Sequence, residues 1–597
     1  MTVSLRSLVA ASWLPIALAQ NAVERDIHYD PLTFVDPLIG ATNGGNVFPG
    51  DTIPYGMAKA VADTSSGSNQ GGFTLDGSPV TGFSVLHDSG TGGSPSLGNF
   101  PLFPYNSCKD NQIDNCDFPK KTRAQHGTFQ NNSVIAEPGH FGITLDSGPQ
   151  VDMTATHHAA LFKFTFKGAN AGEKPLILQD LTDLSNSRQD NATVKVDPKT
   201  GRIHGHGLFV SSFSQGQYTP YFCTDFRGAE IADAGIFADS RGSTAVHELK
   251  ISRSINGYPL PGGAFVRFQS GRNPVYARVG VSFISEEQAC SNAEKEIPDF
   301  DFNKHVRDAK DQWKHKLLPI KVETTGVDKS FLTNFYSGIY RTMISPQNYT
   351  GENPSWNDGP YFDSFYCIWD LFRSQLPFLT ILDTDAVAEM VRSLISVYEH
   401  DGWLPDCRMT FSRGYTQGGS NADNVLADAY LKGIRKGIDW DKGLAAVRKD
   451  AEVEPFDWCC HGRGGIDSWN ALGYVPVQDF DYKGFGTLTR SISRTLEYAY
   501  NDFCIAQLAG AMGKKDIQEK YNEESQKWRN LYRKDQKSSF DNGTDTGFVG
   551  FFQPKYLNQT WGYQEPLKCS NLDEKSVCSL QNSGPETFES SIWEYGL

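Results

Sequence analysis

Four stretches of the chain carry residues whose types and spacing could do chemistry. In "DSFYCIWDLFRSQLPFL", Trp369, Asp370 and Arg373 fall within one helical turn. A ring beside a carboxylate is how proteins grip a sugar: the ring face stacks on C–H groups and the carboxylate takes hydroxyls. A capped helix with an i,i+3 ion pair between Asp370 and Arg373 accounts for the same residues, and on those residues alone it is the stronger reading. In "GFSVLHDSGTGGSPSLGNF", His87 and Asp88 precede a Gly-rich turn that is no phosphate loop, because the lysine such a loop needs is missing. "DPLIGATNGGNVFPGDTIPYGM" is dense in Gly and Pro, as turns are. The last stretch, "ETFESSIWEYGL", ends the chain on what reads as one face of a helix barely begun, with Glu589 among Ile592, Trp593 and Tyr595.

The elements that position these residues change character along the chain. From about residue 30 to 285 the pattern is β. Phe162, Phe164 and Phe166 alternate with polar neighbours, as do Val275, Ala277, Val279, Val281 and Phe283. Period-two runs punctuated by Gly and Pro mark half-buried antiparallel strands, and many of them together predict a β-sandwich. Residues 286–327 read as a polar, mostly helical linker. From 328 the period becomes helical. Leu488, Ile492, Leu496, Ala499 and Phe503 fall on one stripe, with Gly513 as the C-cap, and the following helix places Ile517, Tyr521, Trp528 and Tyr532 together. Successive helices joined by short loops predict an all-α domain of stacked hairpins. Ser420 or Asn421 is the expected N-cap of the helix that follows "GWLPDCRMTFSRGYTQGG".

Bulk composition narrows the function. The 597 residues exceed one domain, and 39% hydrophobic with 12% aromatic is globular. A net charge of -15 argues against nucleic acid and against an anionic membrane surface. It suits a neutral substrate such as a sugar. "MTVSLRSLVAASWLPIALAQ" has the layout of a secretory signal peptide over residues 1–19, and no other stretch is apolar enough to span a membrane. Five Asn-x-Ser/Thr sequons (Asn131, Asn191, Asn348, Asn542 and Asn558) and eleven cysteines agree with secretion. Cys108 with Cys116, and Cys569 with Cys578, are candidate local bridges. Cys459 and Cys460 are adjacent, and no spacing suggests structural zinc.

In order along the chain, these stretches resemble glycoside hydrolase family 92, the α-mannosidases. The resemblance rests on "VDPLIGATNGGNVFPGDTIPYGMAKAVADT", on the Gly-Phe-Ser-x-x-His-x-Ser-Gly-Thr-Gly pattern at 82–92, on "EPGHFGITLDSGPQVDMTATHHAALFKFTF", and on "SRTLEYAYNDFCIAQLA". It is closest to fungal members. It implies a β-sandwich at 30–285, a helical linker at 286–327, and an (α/α)6 barrel at 328–597. It implies secretion, a Ca2+ requirement with ligands unassigned, and removal of terminal mannose from α-mannosides with inversion. Trp369, Asp370 and Arg373 would line the mannose pocket, with Phe48 and His87 on the sandwich side. The family's general acid sits in Glu-x-x-x-Trp-x-Tyr, matched here by Glu589, Trp593 and Tyr595. Its water-activating aspartate sits in a Gly-Asn-Asp/Glu-Asp stretch that these residues do not contain. The barrel is therefore expected to be incomplete, with the base in a missing C-terminal segment. A non-catalytic mannoside-binding protein is the alternative.

Overall fold

The computed structural model describes residues 29–566, apart from 89–96, 171, 190, 212–215, 252–258, 270–273, 417, 480, 487–489 and 565. The leader, the Cys569–Cys578 pair and Glu589 lie outside the described residues.

The N-terminal half is two antiparallel sheets. One has seven strands and includes Val61–Thr64, Val80–Ser84 and Gly262–Phe268; the other has nine and includes Ala159–Phe166, Tyr221–Arg227 and Val275–Ser282. The alternation read in the sequence is realised. Phe162, Phe164 and Phe166 are buried while Lys163 and Thr165 are partly exposed, and Val275, Ala277 and Val279 are buried between half-exposed Tyr276 and Arg278. The two inner faces meet in one apolar core, where Phe100 lies 4.4 Å from Phe222, ring centre to ring centre. Burial of such faces at about 25 cal/mol per Å² is the main stabilising term. Disulfide Cys108–Cys116 closes a loop of this half, and Cys223–Cys290 ties the strand Tyr221–Arg227 to the helix Glu286–Glu296.

Two helices, Glu286–Glu296 and Phe302–Leu317, follow. In the second, Phe302, His305, Ala309, Trp313 and Leu317 form the buried stripe, Asp301 caps the start, and Lys314, His315 and Lys316 sit at the negative end of the helix dipole. Trp313 ties this helix to the N-terminal half by donating its indole N–H to the Thr52 carbonyl at 2.6 Å. Glu352 makes a similar tie from the helical side, accepting from Ser282 Oγ (2.6 Å), Phe283 N (2.8 Å) and Asn292 Nδ2 (3.0 Å).

The C-terminal half is helical, with Lys329–Arg341, Thr384–Asp401, Ala422–Leu431, Trp440–Glu452 and Ser491–Ala511 as its main members. Three details depart from the sequence expectation. The "CIWDLFRSQLPFLTIL" stretch is two short helices, Ile368–Leu371 and Gln375–Leu382. Pro377 is tolerated in the first turn of the second and lacks the N–H that would have continued the first. The 491–511 helix is buried almost all round, burying Ser493, Arg494, Glu497, Asn501 and Asp502 as well as its apolar positions. Phe503, expected on the buried stripe, is 44% exposed and lines an open apolar groove with Tyr500, Trp528 and Phe552. Finally, the last helix stops at Glu524. Trp528 sits in the 3-10 segment Ser525–Leu531, and Tyr532 opens the hairpin Tyr532–Ser539/Asp545–Phe552. Gly513 closes the 491–511 helix at φ 75°, as a C-cap glycine does.

Candidate active site

Trp369 is held in place from three directions. Strand pairing of Tyr366 with Arg408 and of Cys367 with Cys407, reinforced by the Cys367–Cys407 disulfide, fixes the start of the 368–371 helix. The indole, 4% exposed, donates its Nε1–H to Glu497 Oε1 at 2.8 Å. Arg373 lies one turn on. Its guanidinium sits 4.8 Å from the Trp369 ring centre, donates Nε–H to the Trp369 carbonyl at 3.0 Å, and reaches the same Glu497 Oε1 at 2.8 Å. The third side is backbone. A Cβ on Gly418 would stand 2.7 Å from Trp369 Nε1, and one on Gly419 would stand 2.7 Å from Glu497 Cβ, so only glycines let this loop close on the pair. Asn501, one helical turn beyond Glu497, fixes the loop's exit by accepting from Ser420 N at 3.2 Å.

The result is a buried aromatic ring and a buried carboxylate, with Asp370 and Arg373 exposed beside them. Aromatic face, carboxylate and guanidinium are the groups a neutral polyol needs. Glu497 went unread in the sequence because it is 128 residues from Trp369. A glutamate set among Leu496, Tyr498 and Ala499 in "SRTLEYAY" was the available signal.

Two further networks stiffen the site. Asp363 accepts from Tyr361 OH (2.6 Å), Arg408 Nε (2.8 Å) and Phe411 N (3.1 Å), with Asp363, Tyr361 and Arg408 all buried. Deeper, Arg463 pairs with Asp502 at 2.7 Å and Asp423 at 3.2 Å, and Ser420 Oγ donates to Asp450 at 2.8 Å. Two buried carboxylates share the Arg463 guanidinium, and the buried Asp450 carboxyl is held by Ser420. Burial pushes the Asp450 carboxyl up to about 7, and burial together with the Asp450 charge raises Asp423. The cluster therefore holds protons rather than full negative charge.

Phe48 and His87 form a separate cluster inside the sandwich, 0% and 1% exposed, with ring centres 5.7 Å apart. The His87 ring bonds within that half: Nε2 to Asp63 Oδ1 (2.6 Å) and Ser84 Oγ (3.0 Å), Nδ1 to the Lys59 carbonyl (2.7 Å). Lys59 Nζ is buried nearby, and burial lowers its pKa to about 7. Among the described residues, no group of three or more His, Cys, Asp or Glu side chains is placed to hold a metal ion, and no helix is long and apolar enough to cross a membrane.

Comparison with known proteins accounts for this architecture. Residues 34–282 match the glycosyl hydrolase family 92 N-terminal domain, and residues 288–597 match the family 92 catalytic domain. The chain is 49% identical to an uncharacterised secreted glycosidase of Arthroderma benhamiae, over 98% of this chain and 74% of that one. A family 92 α-mannosidase of Bacteroides thetaiotaomicron, solved with mannoimidazole, superposes with a TM-score of 0.77 at 20% identity, covering 94% of this chain and 70% of that one. A family 92 inverting mannosidase of the same bacterium superposes with a TM-score of 0.73 at 23% identity, covering 90% and 68%. At that identity the bacterial structures show a shared fold. With both of its halves matched and a close fungal relative named as a glycosidase, the chain belongs to glycosyl hydrolase family 92 and is a glycosidase.

Proposed function

We propose that this protein is a secreted, Ca2+-dependent, exo-acting α-mannosidase that removes terminal mannose with inversion at the anomeric carbon. The observation that carries the reading is the Trp369–Glu497–Arg373 arrangement in a family 92 chain. Asp370 and Arg373, exposed beside the buried Trp369 ring, take the hydroxyls of the terminal mannose, and the ring backs the Arg373 guanidinium from beneath. Glu497 anchors both indole and guanidinium, so that the ring is oriented before the sugar arrives. Phe48 and His87, buried inside the sandwich, are left without a direct role in holding the sugar.

Inversion needs two carboxyls roughly 6.5–9.5 Å apart, one protonating the glycosidic oxygen and the other activating a water on the opposite face. We assign the first role to Glu589, in the Glu-x-x-x-Trp-x-Tyr stretch. We assign no residue to the second, since the Gly-Asn-Asp/Glu-Asp stretch is not found in these 597 residues. Ca2+ dependence is proposed from the family. The described side chains do not fit an ion on their own, because no three carboxylates or imidazoles converge, so no catalytic step is routed through it.

The alternative reading is a mannoside-binding protein without turnover. Incubating the full-length gene product with α-linked mannobiose, with Ca2+ and after chelation, separates the two. Calcium-dependent mannose release supports the mannosidase. Saturable binding without release supports the second reading, and neither binding nor release refutes both.

A further inference from the structure

Cys459 and Cys460 are adjacent in sequence, and both are buried, 2% and 3% exposed. Their sulfurs stand 2.8 Å apart, closer than two unbonded thiols normally rest and approaching the bonded distance of about 2.05 Å. Six other cysteines among the described residues are paired as Cys108–Cys116, Cys223–Cys290 and Cys367–Cys407. The chain therefore matures where thiols are oxidised.

We propose that Cys459 and Cys460 form a vicinal disulfide that locks the turn behind the sugar site. The bond forms by thiol–disulfide exchange with an oxidoreductase disulfide. The two thiols lose two protons and two electrons, one S–S bond forms, and the enzyme's S–S bond opens to a dithiol. It forms before the turn closes. In the folded chain, burial pushes the Cys460 thiol up to about 12, where almost none of it is the attacking thiolate. Once buried, the bond is shielded from reductants.

The turn is a junction of three loops. The Cys459 carbonyl accepts from Thr416 N at 2.6 Å, the Cys459 N–H donates to the Phe485 carbonyl at 3.1 Å, and His461 bridges to Pro405. Thr416 lies two residues before Gly418, the glycine that closes on the Trp369 indole. Fixing the Cys459–Cys460 geometry thus fixes one wall of the pocket without touching the sugar.

Two measurements test this. The secreted protein is denatured, alkylated without reduction, digested and weighed. The expected peptide carries no label on Cys459 or Cys460 and is two hydrogens lighter than its reduced form, and both cysteines take label only after reduction. Label on both without reduction, or a cross-link from either to another cysteine, overturns the proposal. In the Cys459→Ser/Cys460→Ser variant of the full-length protein, the Thr416 amide should exchange with solvent at least about tenfold faster than in the wild type. Unchanged exchange would overturn the locking role. Neither readout involves mannoside turnover, so each stands or falls apart from the proposed activity.

Discussion

The hydrogen bond from Trp369 Nε1 to Glu497 Oε1 should be the strongest single tie in the site, and a double-mutant cycle measures it. Trp369→Phe removes the N–H and keeps an aromatic ring. Glu497→Gln removes the charge and keeps the shape. Both groups are buried, the bond is 2.8 Å, and its acceptor is a carboxylate. Such bonds contribute about 1.5–3 kcal/mol, and the cycle cancels the packing change of each single variant. Arg373 reaches the same oxygen at the same distance, but its side chain is 35% exposed and water screens it. The Arg373→Met/Glu497→Gln cycle should therefore return no more than about 1 kcal/mol. Urea unfolding followed by far-UV circular dichroism gives both coupling energies. Calorimetric titration of Glu497→Gln with an α-mannoside should show affinity down about tenfold, because the ring is no longer held in register. A Trp369–Glu497 coupling under about 0.5 kcal/mol, or one smaller than the Arg373 coupling, would show that the carboxylate does not hold the indole.

Other expectations follow from the same geometry. Asp51 is buried, its Oδ2 accepts from Ala155 N at 2.6 Å, and burial lifts its pKa to about 7. A carboxyl raised above its unfolded value favours folding most when protonated, so its contribution is complete below about pH 4 and lost as pH rises to 7. The shift corresponds to about 4 kcal/mol at most. Asp51→Asn should flatten the decline in urea-measured stability across that window, and parallel pH profiles of wild type and variant would contradict the assignment. Asp370→Asn, at an exposed position, should change stability by less than about 0.5 kcal/mol but weaken α-mannoside binding by about tenfold or more; unchanged affinity removes Asp370 from the pocket. In the full-length gene product, Glu589→Gln should cut hydrolysis of mannobiose by about 10²–10⁴-fold. It should spare an activated aryl mannoside, whose leaving group needs little protonation, and equal losses on both substrates would count against Glu589 as the acid.

What the sequence made legible was local. Phe162, Phe164 and Phe166 alternate because a strand has two faces, and the fold repeats that alternation directly. Cys108 and Cys116, eight residues apart, could find each other through a short loop. Cys223–Cys290 and Cys367–Cys407 could not be paired in advance, because their partners meet only through tertiary packing. The same limit hid the core of the candidate site. Trp369 was visible for its neighbours Asp370 and Arg373, whereas Glu497 and the Gly418–Gly419 loop reach it only once the 491–511 helix is buried on nearly all sides. Of the expected stripe, Ile492, Leu496 and Ala499 are buried, Phe503 is exposed and Leu488 lies outside the described residues; what the stripe does not show is that a helix enclosed on nearly all sides also places polar residues inside through paired hydrogen bonds. Beyond Glu524 the helical period of Trp528 and Tyr532 persists in sequence although the chain leaves the helix, with Trp528 in a 3-10 segment and Tyr532 at the start of a hairpin, where aromatic residues pack equally well.

The central claim, an inverting α-mannosidase, is tested most directly by proton NMR of the full-length gene product turning over an aryl α-mannoside in the presence of Ca2+. The account predicts that β-mannopyranose appears first and only then equilibrates with the α-anomer. Release of α-mannopyranose first, or hydrolysis of other α-glycosides while the mannoside is left intact, would contradict it.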